Sequence, residues 1–308
     1  MDRVSDVVRK VFPNSKLLDI SNLYGGRVNP IYNLKITNPK MELVMKTTNR
    51  PGIEMDSRFR KEEYVINLIR NNTDVPVSKV YTWDNSKEIL PFEYMILSKL
   101  DGSNLRSIYR NLEVDEKLKL CEKAGEYLAK IHSIKLESFG SVMGSPVKTL
   151  KDDYYKFLRD NFRKTLSGIP EIDRIKEDVM DFVESNEYLL DVDVEPCLAH
   201  NDYHFGNIMA SEQGITGIID FEASKAGHNE QDLIIPKWWI FQEYDESELP
   251  FFEGYEKYGS VSIDFDKRIR LYELRTAVDI LMATVKLHIG NVDERVKEYS
   301  SKIEKIIK

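Results

Sequence analysis

The hydrophobic period changes once along this chain, near residue 100, and that change limits the folds open to it. Before that point apolar residues mostly alternate. Tyr32, Leu34 and Ile36 are interleaved with Asn33 and Lys35, the period-2 signature of a half-buried strand. Residues 42–47 read as a second strand after a turn at Asn38-Pro39-Lys40, and residues 75–83 and 92–97 return to strand composition. Two helical patterns interrupt this region: a short amphipathic one at 2–12, with Val4, Val7, Val8 and Val11 on one side, and a longer one at 57–71. After Asp101-Gly102 the spacing becomes helical. Leu118, Cys121, Leu128 and Ile131 mark a helix over 114–134, and further helices are expected at 151–165, 171–190, 230–243, 248–259, 264–288 and 292–307. Only residues 196–222 form an island of strand and loop. The expectation is an α+β chain in two parts, a small antiparallel β-sheet lobe with one packed helix over 1–100 and a large, mainly α-helical lobe over 101–308. Asp101-Gly102-Ser103 is the natural hinge, because glycine supplies backbone freedom there.

Composition narrows the function classes. At about 150 residues per domain, 308 residues suggest roughly two units. A formal net charge of −8 argues against nucleic acid as the partner, since that needs a basic footprint. Two cysteines, Cys121 and Cys197, cannot build a disulfide framework, which suits reduced thiols and a cytoplasmic location. The N-terminal segment is charged throughout with no apolar h-region, and no stretch approaches the roughly 18 apolar residues of a membrane span, so no membrane association is expected.

The chemistry concentrates in residues 198–209, LAHNDYHFGNIM, and 217–222, GIIDFE. Asp202 precedes Asn207 by five residues, and Asp220 follows Asn207 by thirteen. The same Asp-to-Asn spacing occurs in the kinase catalytic loop H-R-D-L-x-x-x-N followed by D-F-G; here Asn201 stands at the Arg position and Glu222 at the Gly position. Phosphoryl transfer needs one carboxylate to orient and deprotonate the attacking hydroxyl. It also needs an amide oxygen and a second carboxylate to hold Mg²⁺ against the triphosphate. Leu198, Ile208, Ile218, Ile219 and Phe221 are apolar anchors suited to pinning such a loop on a core.

At these residues the chain resembles the aminoglycoside phosphotransferase and choline kinase-like family, relatives of the protein kinases. His200, Asp202 and Asn207 match H-x-D-x-x-x-x-N, and Ile219, Asp220, Phe221 and Glu222 match I-D-[FW]-[ED]. The resemblance implies a bilobal protein-kinase-like fold, Asp202 as catalytic base, Asn207 and Asp220 as Mg²⁺ ligands, and His200 as a structural hydrogen-bonding residue of the loop. Lys46, ending the strand LVMK, resembles the lysine that grips the α- and β-phosphates and pairs with a glutamate of the next helix. Phe59, Val65, Ile66 and Ile69 define the apolar face of that helix. Glu62 falls near its middle and Glu63 at its edge, and a carboxylate on an apolar face needs a partner, so Glu62 is the expected one. Gly25, Gly26 and Asn29 resemble the family's G-G-x-x-N nucleotide loop, whose glycines let backbone N–H groups approach phosphate oxygens. Residues 92–100 resemble the strand that meets the adenine. Met95 and Ser98 are its candidate nucleotide contacts, with the core as the other reading of Met95. Asp232 resembles an aspartate that braces the catalytic loop, and an N-cap is its alternative. His132 reads best as a satisfied core histidine, and His204 is open between substrate and solvent.

The implied reaction is transfer of the γ-phosphoryl group of ATP, with GTP open, to a hydroxyl of a small metabolite or aminoglycoside-like acceptor. Only twelve positions separate Asp220 from Asp232, and no A-P-E motif follows, which argues against the alternative of a protein-phosphorylating enzyme. The intact set Lys46, Asp202, Asn207 and Asp220 argues against the other alternative, an inactive nucleotide-binding scaffold. The acceptor is expected near helices 151–190 or near Trp238-Trp239, a pair that is more often core. Glu243, Asp245, Glu246 and Glu248 read best as a solvated acidic turn.

Overall fold

The computed structural model describes residues 2–23, 30–48 and 58–308. In chain order its main elements are α1 (Asp2–Val11), β1 (Leu17–Leu23), β2 (Ile31–Ile36), β3 (Met41–Thr47), α2 (Arg58–Asn72), β4 (Val80–Asp84), β5 (Tyr94–Ser98) and β6 (Ser103–Asn104). Then come α3 (Val114–His132), α4 (Leu150–Phe157), α5 (Lys176–Asn186), β7 (Cys197–Ala199), β8 (Ile208–Ser211), β9 (Gly214–Ile218), β10 (Lys225–Gly227), α6 (Glu248–Tyr255), α7 (Phe265–Leu287) and α8 (Val292–Ile307). The chain divides into two compact units, Met1–Ile108 with Gly206–Glu222, and Tyr109–Phe205 with Ala223–Lys308.

The first unit is built on an antiparallel five-stranded sheet of order β1-β2-β3-β5-β4. Alternation puts Leu34, Ile36, Leu43, Met45, Tyr94 and Ile96 on one buried cluster, and Val7 and Val8 of α1 close it. The unit therefore includes α1 as well as α2. Strand β4 is shorter than the composition of 75–83 suggests. Pro76 has no N–H to give a ladder, and Val77 makes only a single bridge, to Ile218, while the Pro76 carbonyl accepts from Ile218 N at 2.9 Å. Segment 206–222 joins this unit because β8 pairs with both β6 and β9 in a three-stranded sheet. Gly102 is packed there: at φ +86°, a Cβ would sit 1.9 Å from the Ala210 carbonyl oxygen, so this position demands glycine for close approach to β8.

The second unit is mainly helical. Its core gathers Tyr154, Phe162, Val179, Tyr272, Leu281 and Ile303 from five segments. Helices α3 and α6 touch backbone to backbone, since a Cβ on Gly125 would lie 1.9 Å from Phe251 O and one on Gly254 1.8 Å from Glu122 O. Three of the expected helices are broken. The run 151–165 passes from α4 into a π-turn at Leu158–Arg163, and 230–243 is a short helix, Asn229–Asp232, followed by a π-turn at Lys237–Phe241. The run 171–190 breaks before α5, although Ile172, Ile175, Val179 and Val183 are all buried across the break. The apolar spacing thus continues where the backbone pattern does not. Among the described residues no helix is long and apolar enough to cross a membrane.

Candidate active site

In the first unit, Lys46 sits near the end of β3, opposite Ile31 on β2 and Met95 on β5. Its Nζ donates to both carboxylate oxygens of Glu62, at 2.9 and 2.8 Å. Glu62 comes from the apolar face of α2 and is almost completely buried, whereas Glu63 accepts instead from Trp83 Nε1 at 2.7 Å. The same ammonium lies 3.2 Å from Asp220 Oδ1 and 2.8 Å from Glu222 Oε1. Arg58 reaches the other Glu222 oxygen at 3.7 Å. One ammonium thus faces three carboxylates, with the Arg58 guanidinium a more distant second cation. Burial works to neutralise Lys46, but Glu222, Glu62 and Asp220 outweigh it and hold the lysine well above its ordinary value. Burial, with Glu222 and Asp220 adding to it, raises Glu62 to about 7 against the pull of Lys46. The Glu222 contacts escaped motif reading, although the residue occupies the last place of the IDFE match.

Asn207 and Asp220 are brought together by the β8–β9 hairpin. The Asn207 carbonyl accepts from Ile219 N at 3.0 Å, and Ile208 pairs with Ile218. Asp220 takes φ +68°, a left-handed conformation that aspartate tolerates better than most residues, and its side chain is 45% exposed. An amide oxygen and an exposed carboxylate are hard donors. They suit Mg²⁺, which is commonly held by one or two protein oxygens together with water and substrate phosphates. Among the described residues no group of three or more His, Cys, Asp and Glu could hold a metal, so the fit is to a shared site rather than an all-protein cage.

Met95 is fully buried and stands opposite Lys46 across the β3–β5 ladder, so its side chain shares the face of the sheet that carries that lysine. Ser98 Oγ accepts from Lys79 N at 2.8 Å and so secures the end of β5. Gly25, Gly26 and Asn29 lie outside the described residues.

In the second unit, the loop after β7 is braced from below. Asp232, buried in the short helix Asn229–Asp232, accepts from His200 N at 2.6 Å and from Asn201 N at 2.7 Å. It is not an N-cap. His132 Nε2 lies 3.0 Å from the same carboxylate, and Nδ1 lies 2.8 Å from the Tyr255 hydroxyl. Because an ionised carboxylate only accepts, Nε2 carries the proton there. Burial pushes Asp232 up, but the bond and charge of His132, with the loop amides, prevail and hold it below its ordinary value. Asn201 adopts φ +63°, and His200 Nδ1 accepts from Asp202 N at 3.3 Å. Tyr203, fully buried, donates to Ala124 O at 2.7 Å and moors the loop on α3, an anchor that no sequence spacing reveals.

Asp202 is left partly exposed, its side chain 33% accessible, with His204 Nε2 3.5 Å from Oδ1. His204 in turn packs on Trp239, ring centroids 5.4 Å apart. The two tryptophans divide: Trp238 is buried with Nε1 donating to Glu273 at 3.2 Å and Lys302 over its ring, and Trp239 is half-buried beside His204. The acidic turn is solvated, with Glu243 paired to Arg110 at 2.8 Å.

Residues 19–265 match the phosphotransferase enzyme family. The chain belongs to that family. It is therefore a phosphotransferase with a hydroxyl group as acceptor. Comparison with curated protein sequences finds no significant match. Solved structures share the protein-kinase-like α+β fold. A proposed fructosamine-3-kinase from Thermobifida fusca YX-ER1 is 17% identical with a TM-score of 0.71, each chain covered over 99%. Aminoglycoside phosphotransferase APH(4)-Ia is 17% identical with a TM-score of 0.72, covering 99% of this chain and 98% of its own. APH(2")-IIIa is 15% identical with a TM-score of 0.70, covering 99% and 98%.

Proposed function

We propose that the chain is a Mg²⁺-dependent kinase that transfers the γ-phosphoryl group of ATP or GTP to a hydroxyl of a small molecule. The observation that carries this reading is the Lys46 ammonium held by Glu62, Asp220 and Glu222. That lysine is charged, aimed and desolvated, which suits a group that grips phosphate oxygens. The solved relatives support a nucleotide donor and a small acceptor: thermostable mutants of APH(4)-Ia have been captured with AMP-PNP and hygromycin B and with ADP and hygromycin B, and APH(2")-IIIa with GDP and kanamycin.

In this mechanism Lys46, with Gly25, Gly26 and Asn29, binds the phosphates. Asn207 and Asp220 would hold Mg²⁺, which neutralises charge building on the phosphates. Asp202 accepts a hydrogen bond from the acceptor hydroxyl, orients it in line and takes its proton as the new oxygen–phosphorus bond forms, while the bond from the γ-phosphorus to the β-phosphate oxygen breaks and the nucleoside diphosphate leaves. Asp232, His200 and Tyr203 keep that carboxylate in place. Catalysis is then positioning and electrostatics, without a phosphoenzyme. The Trp239 and His204 rings, tilted 57° to one another, offer aromatic faces beside the base for the rest of the acceptor.

The test is a panel of hydroxylated amines, sugars, hydroxy acids and amino acids with Mg·ATP and Mg·GTP, each scored for phosphorylated product. At least one acceptor is expected to turn over, and Asp202→Asn to lower that turnover by about 10²-fold or more with nucleotide binding intact. Nucleotide binding without transfer to any acceptor, or near-normal turnover in the variant, would overturn the reading.

A further inference from the structure

Beside the braced loop lies a charged cluster that the proposed mechanism does not use. Lys225, on β10, stands opposite Ala199 on β7, three residues before Asp202. Three residues span at most about 10 Å of backbone, so Lys225 is placed within reach of a small molecule held at Asp202. Its side chain is only 13% exposed, and its nearest carboxylate oxygen, Asp279 Oδ2, is 3.6 Å away, beyond hydrogen-bond distance. Among the described residues the Lys225 ammonium has no hydrogen-bond partner.

A second cation stands behind it. Arg275, one helical turn before Asp279 on α7, is 4% exposed and lies over the Phe157 ring at 4.6 Å. Its Nη1 makes an ion pair with Asp153 Oδ2 at 2.7 Å. Among the described residues Nε and Nη1 have no hydrogen-bond partner. Asp153 is tied to the same place, since a Cβ at Gly140 would lie 3.5 Å from its Oδ1 and Gly140 bridges Ala226, the neighbour of Lys225.

Two cations meet two carboxylates here, so charge is nearly balanced while donors are in excess. Buried N–H groups without acceptors are costly, and a ligand rich in acceptor oxygens would satisfy them. Burial and the neighbouring Arg275 together bring Lys225 down to about 8, although Asp279, Asp153 and Asp232 oppose them. We propose that Lys225 and Arg275 form an anion-reading subsite for the acceptor, so that the preferred substrate carries a carboxylate or phosphate group close to its reacting hydroxyl. This rests on the kinase reading above and specifies its substrate class.

The test reads the subsite without turnover. Lys225 is labelled with trinitrobenzenesulfonate in the intact protein without nucleotide, and its peptide is quantified by mass spectrometry. Glycerate, glycerol 1-phosphate and glycerol are compared as protectants at matched ionic strength. One or both anions should slow labelling of Lys225 at least several-fold and glycerol should not; the better anion distinguishes carboxylate from phosphate. Asp279→Asn should strengthen that protection, because it removes the competing carboxylate. A purely structural Lys225–Asp279 pair would instead show lower thermal stability in this variant and no change in protection. An unreactive Lys225, equal protection by glycerol, or no protection by either anion would overturn the subsite. In steady-state assays Lys225→Gln should cut kcat/KM for anionic acceptors about tenfold or more with neutral acceptors spared, and Lys225→Arg should restore it. Protection without phosphoryl transfer would refute the kinase reading and leave the subsite standing.

Discussion

Replacing Asp232 by asparagine isolates the brace under the loop that carries Asp202. The carboxylate accepts three hydrogen bonds, two at Oδ2 from His200 N and His132 Nε2 and one at Oδ1 from Asn201 N. An amide cannot accept all three. With its NH₂ in place of Oδ1 it loses one bond and leaves the Asn201 N–H facing another donor; in place of Oδ2 it loses two. The first arrangement is the cheaper one. Bonds to an ionised acceptor contribute about 1.5–3 kcal/mol and an orphaned buried donor costs about 1–3 kcal/mol, so a loss of about 2–4 kcal/mol is expected, the two surviving bonds also being weakened. At a few degrees per kcal/mol for a unit of this size, the melting temperature should drop by about 5–12 °C in a calorimetric scan near pH 7. The pH dependence provides a second check. Asp232 is held below its ordinary value of 3.8 in the folded state, so as pH falls below about 4 the unfolded chain takes up the proton first and the wild type loses this contribution. The difference between wild type and Asp232→Asn should therefore narrow on the acid side. A melting shift under about 2 °C, or a difference that stays constant from pH 6 to pH 3, would refute the reasoning.

Lys46→Met strands the buried Glu62 carboxylate. The cost should be about 3–5 kcal/mol at pH 8 and smaller at pH 6, because Glu62, already raised to about 7, is raised further and protonates; equal losses in melts at the two pH values would count against it. Asp220→Ala should abolish Mg²⁺-dependent nucleotide binding in calorimetric titrations, and an unchanged Mg·ATP affinity would remove Asp220 from the metal site. Gly254→Ala drives a methyl into the Glu122 backbone, so α3 and α6 must part. A loss of about 1–3 kcal/mol or more is expected, with a normal denaturation midpoint as the contrary result.

Some of this was legible in residue order alone, for identifiable reasons. Period-2 alternation located β2, β3 and β5 because a half-buried sheet imposes it on side chains. The position of Glu62 on the apolar face of α2 singled it out over Glu63, since a carboxylate there needs a cation. Other features were not legible. Periodicity cannot see the π-turns at Leu158–Arg163 and Lys237–Phe241, because apolar spacing tolerates one extra residue per turn. That Met95 shares the face of Lys46 became visible only once β5 was paired with β3, and Trp238 and Trp239 are alike in sequence but unequal in burial. The Lys225 cluster carries no motif at all.

The sequence by itself determined the pattern on which the proposed chemistry rests: a spaced His, Asp, Asn and Asp series and an upstream lysine, on a chain whose hydrophobic period passes from strand to helix. Local spacing is enough for that, because a loop's donors and a strand's alternation are set over a few residues. Only the tertiary structure decided which charges share one another's field. Lys46 meets Asp220 and Glu222 across about 175 residues of chain, and Asp232 meets His132 across 100. Burial then decides the state of each, lifting Glu62 while hydrogen bonds hold Asp232 down. Coulomb interaction and desolvation depend on distance and burial in space, and neither quantity is written in the order of residues.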